Sequence, residues 1–209
     1  MRNYLVYDIE TYKSDRIEEY LDQKDFKPDA RLKDPEKIAK SIEDKREAER
    51  EKAALRWITG RVIACGISYN GDFHFFCADN ERDLLYDLDV FIAGKDVDEF
   101  VGKNNIDFDQ PYLVGRHLAN GLPVPQWLLR HHLDIQGFFG TGRSIQRASL
   151  KDIEWCLQIQ RDGEKDATQC FEWWENNEID LIEKYNRQDV QSTERIYLDI
   201  TSGMNGGIH

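Results

Sequence analysis

From Tyr4 the chain alternates: Tyr4, Val6, Asp8 and Glu10 fall on one parity, and Leu5, Tyr7 and Ile9 on the other. Period-two patterning over an apolar stretch predicts a strand across residues 4–10. After Thr11 the pattern gives way to a charged segment, residues 12–57. Its run from Glu36 to Leu55 is rich in Glu, Lys, Arg and Ala, with only Ile38, Ile42 and Leu55 as larger aliphatics. Asp34 and Pro35 are a helix start signal: an oxygen to cap free N–H groups, then a residue that has none to leave unsatisfied. So thin an apolar stripe predicts a charged helical insertion after the first strand. A clamp over a substrate and an association surface are its functional readings; a merely solvated helix is the simpler one.

Beyond the insertion, Arg61–Tyr69 is apolar on both parities, as in a strand covered on both faces. It is joined through Asn70 and Gly71, a strong hairpin signal, to a second strand at 72–77. Leu84, Leu85, Leu88 and Phe91 recur at helical spacing within Glu81–Ile92. Short strands are expected at 98–102 and 131–135. A helix over 110–120 is stopped by Gly121, with Pro123 and Pro125 beyond. Ser149 and Asp152 have capping-box spacing for a helix through Leu157. Ile179, Ile182, Val190, Ile196 and Tyr197 mark a last helix ending near Ile200, with residues 201–209 a flexible tail. Strands interleaved with helices define an α/β class and one domain over residues 1–200.

Composition narrows the function classes. Hydrophobic residues make up 40% of the 209, enough for a core, and no apolar run approaches the roughly 18 residues of a membrane span. A strand entered at Tyr4 leaves no room for a signal peptide. Cysteines 65, 77, 156 and 170 show no C-x-x-C spacing, so reduced, mostly buried thiols and a cytoplasmic setting are expected. His131 and His132 point to opposite strand faces, which disfavours a joint metal site, and His74 reads as a sheet residue. The net charge of −12 argues against a protein that coats nucleic acid electrostatically. It leaves open one that grips a strand end through metal ions. Residues 110–161 are the exception, where Arg116, Arg130, Arg143, Arg147, Lys151 and Arg161 outnumber Asp134, Asp152 and Glu154.

The chemistry begins with Asp8 and Glu10, side by side at the end of an apolar strand. Two carboxylates 4 Å apart repel by about 4 kcal/mol at an effective dielectric near 20. A cation is the simplest way to remove that cost. Asp109 falls at a strand-to-helix junction, where helix capping is the plain alternative to a site role. Tyr185 and Asp189, four apart, share one helix face.

Together these residues resemble a family. Asp8-x-Glu10 on the first strand, Asn105-x-x-Phe108-Asp109-x-Pro111 before a helix and Tyr185-x-x-x-Asp189 on a late helix look like the three motifs of the DEDD 3′→5′ exonucleases, in order. A histidine-type member would have His where Lys184 stands; Tyr185 makes the chain similar to the DEDDy branch. The setting of Phe108 and Asp109 is closest to the proofreading exonuclease domain of phage and B-family DNA polymerases, here as a stand-alone chain.

The resemblance implies a ribonuclease H-like fold, a mixed five-stranded sheet flanked by helices. It implies two divalent cations, Mg²⁺ or Mn²⁺. Asp8, Glu10 and Asp189 would surround the one that activates water; Asp8 would bridge to the second, where Asp109 acts mainly through waters. Tyr185 would orient the attacking water. Thr11, Asn105 and Phe108 would hold the terminal nucleotide, although packing around the site is an equal reading. The implied activity is release of nucleoside 5′-monophosphates from the free 3′ end of single-stranded DNA, in a bacterial or phage-infected cell, with replication or repair proteins as partners and no membrane. An RNase D-like exoribonuclease and an inactive nucleic-acid-binding module are the alternatives.

Overall fold

The strand carrying Asp8 and Glu10 runs through the middle of the molecule. In the computed structural model, which describes residues 2–140, 147–161 and 168–205, β1 (Tyr4–Lys13) is the central member of a five-stranded sheet. The order is β3-β2-β1-β4-β5, with β2 (Gly60–Tyr69), β3 (Asp72–Cys77), β4 (Glu99–Gly102) and β5 (His132–Asp134). β1 and β2 pair antiparallel, as do β2 and β3; β4 and β5 continue parallel to β1, so the sheet is mixed. The β2–β3 turn is the expected Asn-Gly, with φ of 52° at Asn70 and 96° at Gly71.

Seven α-helices flank the sheet among the described residues: α1 (Ile17–Asp22), α2 (Pro35–Glu51), α3 (Glu81–Ala93), α4 (Asp109–Ala119), α5 (Leu150–Leu157), α6 (Gln169–Glu175) and α7 (Ile179–Asn205). Parity on β1 decides what each covers. Leu5, Tyr7 and Ile9 pack with Leu84, Leu85 and Leu88 of α3 and with Tyr112 and Leu113 of α4. Val6 packs on the opposite face with Ile153 of α5 and with Val190 and Ile196 of α7. Each fully buried leucine in such a layer contributes roughly 1.5–3 kcal/mol. Asp8 and Glu10 continue the parity of Val6, so the face that α7 covers changes from aliphatic to carboxylate along one strand.

Several boundaries differ from the sequence reading. β1 extends to Lys13 because a bulge between Glu10 and Thr11 lets it keep pairing with β2. The charged segment therefore leaves the sheet at Ser14. The helix expected over 36–55 is two pieces, α2 capped by Asp34 and a 3-10 turn at Ala53–Leu55. The short helices α1 and α6 were not expected; six and seven residues give too few turns for a periodic signal. α7 continues five residues past Ile200, where the Thr201 and Ser202 hydroxyls bond carbonyls of the preceding turn. That removes residues 201–205 from the expected tail; 206–209 lie outside the described residues. Cys156 is exposed, whereas Cys65 and Cys170 are buried, and all four thiols are free. No helix among the described residues is long and apolar enough to cross a membrane.

Candidate active site

The sheet places a glycine opposite Asp8. Gly66 of β2 is its register partner, and a Cβ there would stand 1.8 Å from Oδ1 of Asn186 on α7. Lacking a side chain, Gly66 lets Asn186 descend to the sheet. The Asn186 amide, fully buried, donates to the Asp8 carbonyl (3.2 Å), to Asp8 Oδ2 (3.0 Å) and to Glu10 Oε1 (3.2 Å). One turn along, α7 delivers Asp189. A carboxylate oxygen from each of Asp8, Glu10 and Asp189 lies within 4.8 Å of the others.

Asp109 reaches the same place from the far side of β1. After β4 the chain turns back through Asn104, at φ 62°, a left-handed conformation asparagine tolerates. Gly102 leaves room for the returning Asn105, whose Cβ lies 2.6 Å from where a Gly102 Cβ would be. Asp109 is then the first residue of α4 rather than its cap. Its buried carboxylate accepts from the Ile9 N–H at 3.1 Å, which fixes it next to the segment joining Asp8 to Glu10. It is outside the close group of three, but after burial its charge is the largest influence raising Asp8.

The electrostatics follow from that crowding. Burial and the neighbouring carboxylates hold Asp8 well above the ordinary carboxylate range. Burial, then the charge of Asp189, pushes Glu10 up to about 8 despite the bond from Asn186. Burial raises Asp109 to about 7, against the pull of the Ile9 N–H on β1 and of its own N–H at the start of α4. Asp189 is raised by burial as well, offset by Arg161, which bonds both Asp189 and the buried Glu154. Like charges gathered in a poorly solvated place favour the neutral forms unless cations join them. An all-oxygen donor set with this surplus of negative charge suits a hard divalent ion.

Tyr185 leans over the group, packed on Trp173 with ring centroids 6.1 Å apart and with the Arg161 guanidinium 5.9 Å from its ring. Its hydroxyl supports Asp189 by a side-chain hydrogen bond. Burial and the nearby carboxylates push its pKa up, so at neutral pH it keeps its proton and can offer it in a hydrogen bond. A cleft of about 330 Å³ opens over these groups, lined by Asp8, Glu10, Tyr185 and Asp189 together with Thr11, Phe108, Leu55 and Cys170. Its size falls within the roughly 300–1,000 Å³ of small-molecule sites.

The sequence-derived site residues thus meet, with one displaced. Asn105 does not line the cleft: it is fully buried behind it, and its amide donates to the Tyr7 hydroxyl at 3.5 Å. Here packing, the alternative reading, accounts for it better than nucleotide contact. Three arginines of the basic stretch 110–161 are engaged with groups of the protein itself. Arg116 is buried against Glu81, Arg130 bonds the carbonyls of Val97 and Asp98, and Arg161 bonds Glu154 and Asp189. Arg143 lies outside the described residues. Sequence reasoning missed Asn186, Arg161 and Cys170, whose thiol bonds Glu10. Asn186 carried one available signal, its place three residues before Asp189 on the same helix.

A family model of the RNase H superfamily matches residues 51–201, more than half of the chain. The protein belongs to that superfamily, and its mixed sheet flanked by helices is the corresponding fold. Among solved structures it is similar to the family B DNA polymerase from the hyperthermophilic archaeon Pyrobaculum calidifontis, at a TM-score of 0.60 and 17% identity. That likeness covers 95% of this chain and 24% of the polymerase chain, so this protein spans about a quarter of its length. No curated protein matches the chain.

Proposed function

We propose that this protein is a metal-dependent 3′→5′ exonuclease of the DEDDy type, acting on single-stranded DNA and releasing nucleoside 5′-monophosphates. Superfamily membership supports a nuclease. The observation that carries the finer reading is the meeting of Asp8, Glu10 and Asp189 within 4.8 Å, with Asp109 bonded beside them and Tyr185 above. Asp8, Glu10 and Asp189 would hold Mg²⁺ or Mn²⁺, with Asp109 contributing through water. Divalent ions held there would lower the pKa of a water and would stabilise charge on the phosphate oxygens.

The protein's own groups do the remainder. Asn186 pins Asp8 and Glu10 in one orientation, so their oxygens are set before substrate arrives. Tyr185, holding its proton, orients the attacking water by a hydrogen bond. Phe108 and Thr11, in the cleft wall, bound the space for a terminal nucleotide. A strand end fits because its last base is free to leave the stack.

The test is a gel of 5′-labelled DNA and RNA oligonucleotides incubated with Mg²⁺, Mn²⁺ or EDTA. Stepwise shortening from the 3′ end is expected with either metal, none with EDTA, and faster loss of DNA than RNA. Asp8→Ala should lower the rate at least about a thousandfold, as losing a metal ligand removes both water activation and charge stabilisation. Wild-type turnover in Asp8→Ala or Asp189→Asn would refute the site; preferential loss of RNA would favour the exoribonuclease reading.

A further inference from the structure

The base of the inserted arm is held rigidly yet exposes three large apolar side chains in a row. Thr59 bonds the Ala53 carbonyl (3.0 Å), Tyr112 the Ala54 carbonyl (3.0 Å) and Arg116 the Trp57 carbonyl (2.9 Å), while Arg116 is itself locked to buried Glu81. Between these fixed points Leu55, Trp57 and Ile58 face outward, Trp57 at 42% exposure. The indole lies against α4 at Gly115, where a Cβ would stand 2.4–2.7 Å from three of its ring atoms. A glycine in mid-helix costs roughly 0.5–1 kcal/mol against alanine. Here it leaves the space that the indole occupies.

This surface is continuous with the candidate active site. Leu55 and Phe108 line the acidic cleft and also a second, mainly apolar hollow formed with Trp57, Ile58, Pro111 and Tyr112 and bordered by Arg56 and Asp107. Trp57 and Pro111 then line a third with Ile106, Val114 and Leu118. An apolar track therefore leads from the carboxylates, past Phe108, over the indole and along α4.

We infer that this track is a stacking platform for the unpaired bases of a single-stranded substrate whose 3′ end lies in the acidic cleft; the inference rests on the nuclease reading above. Charge favours that occupant's bases over its phosphates as the source of affinity. The chain carries −12, and two of the basic residues in 110–161, Arg116 and Arg161, are held in ion pairs within the protein. Counterion release cannot hold a polyanion to such a surface, whereas base stacking on aromatic and apolar groups is indifferent to net charge. The arm thereby acquires a role: its terminal turn widens a one-nucleotide cleft into a site several bases long.

The experiment compares two substrates with Mn²⁺: a single-stranded oligothymidylate and the p-nitrophenyl ester of thymidine 5′-monophosphate, which fills only the terminal position. Trp57→Ala should raise KM for the oligonucleotide roughly tenfold and leave KM for the ester within about twofold. Gly115→Ala, which forces the indole off the helix while improving helix propensity, should raise the oligonucleotide KM in the same direction without lowering the melting temperature. Trp57→Phe should restore most of the affinity. The oligonucleotide KM should also change little between low and moderate salt. Unchanged oligonucleotide KM in both Trp57→Ala and Gly115→Ala, with active wild type, overturns the platform and leaves the nuclease intact. An equal KM rise on both substrates overturns it too, as general damage. Loss of a dimer in Trp57→Ala by sedimentation, with KM unchanged, overturns it in favour of self-association. Wild type inert towards both substrates removes the nuclease reading and this inference together.

Discussion

The inserted arm and the face of β1 under α7 are both built on carboxylates, and they treat them in opposite ways. In the arm, Glu18 of α1 meets Arg46 and Arg50 of α2, and Asp22 meets Arg46, with both carboxylates exposed. Hydrogen bonds from Arg50 and Arg46 hold Glu18 down at about 2. Under α7, Asp8, Glu10 and Asp189 meet one another, and Glu10 is raised to about 8. Arg161, bonded to Asp189, is the cation in contact with that group among the described residues. The arm pairs these carboxylates with its own arginines; the site leaves its surplus negative charge for something outside the chain. Which groups surround a carboxylate, rather than the carboxylate itself, separates scaffold from candidate chemistry.

The sharpest way to break that contrast is to disturb the site without touching an acid. Gly66→Ala puts a methyl group where Asn186 Oδ1 now lies 1.8 Å away, so the amide must leave Asp8 and Glu10. Nuclease turnover should fall on the order of 10- to 100-fold, as when a group that orients metal ligands is lost. Steady-state kinetics on the oligonucleotide measures it; unaltered turnover would mean that Asn186 does not set the carboxylates.

A smaller effect of definite sign appears in stability against pH. Glu10 titrates at about 8 in the fold against an ordinary 4.5, so between those values the native chain keeps a proton that the unfolded chain releases. Stability therefore falls as pH rises across that window. In EDTA, Glu10→Gln should flatten this decline and raise the melting temperature at pH 8 by about 5 °C, an effect that vanishes near pH 4.5. Thermal melts of both proteins from pH 5 to 8 would show it, and parallel curves would contradict it. Divalent metal should likewise raise the wild-type melting temperature, most at the alkaline end.

The arm should respond least. Glu18 is depressed, so its contribution is fully present above its ordinary pKa and is lost only as pH falls through about 2. Glu18→Gln should leave the pH 5–8 slope unaltered and shift the melting temperature by no more than about 2 °C, as for exposed ion pairs. Turnover should not change. A shift matching that of Glu10→Gln would erase the distinction between the two regions.

What could be read from the sequence was what neighbouring residues decide among themselves. The parity of β1, the Asn70-Gly71 turn, the Asp34 cap and the Ser149 capping box are local, and the structure has each of them. The motif spacing also pointed to acids that meet only through sheet order and helix packing. Arg161 was not legible, and Asn186 only through its spacing from Asp189, because a polar residue on a charged helix or loop looks the same whether it faces water or a buried carboxylate. Asn105 carried two equal readings in the sequence, nucleotide contact and packing, and the space over Gly102 that draws it inward favours the second. The seating of Trp57 against α4 depends on Gly115, 58 positions away by sequence number, a pairing no local pattern encodes.

Anomalous diffraction from crystals soaked in Mn²⁺ tests the central claim most directly, since it locates the ion without relying on activity. The account predicts a peak bounded by side-chain oxygens of Asp8, Glu10 and Asp189, and its loss in Asp8→Asn crystals treated alike. Manganese bound elsewhere, or a peak at the cluster that survives Asp8→Asn, would contradict it.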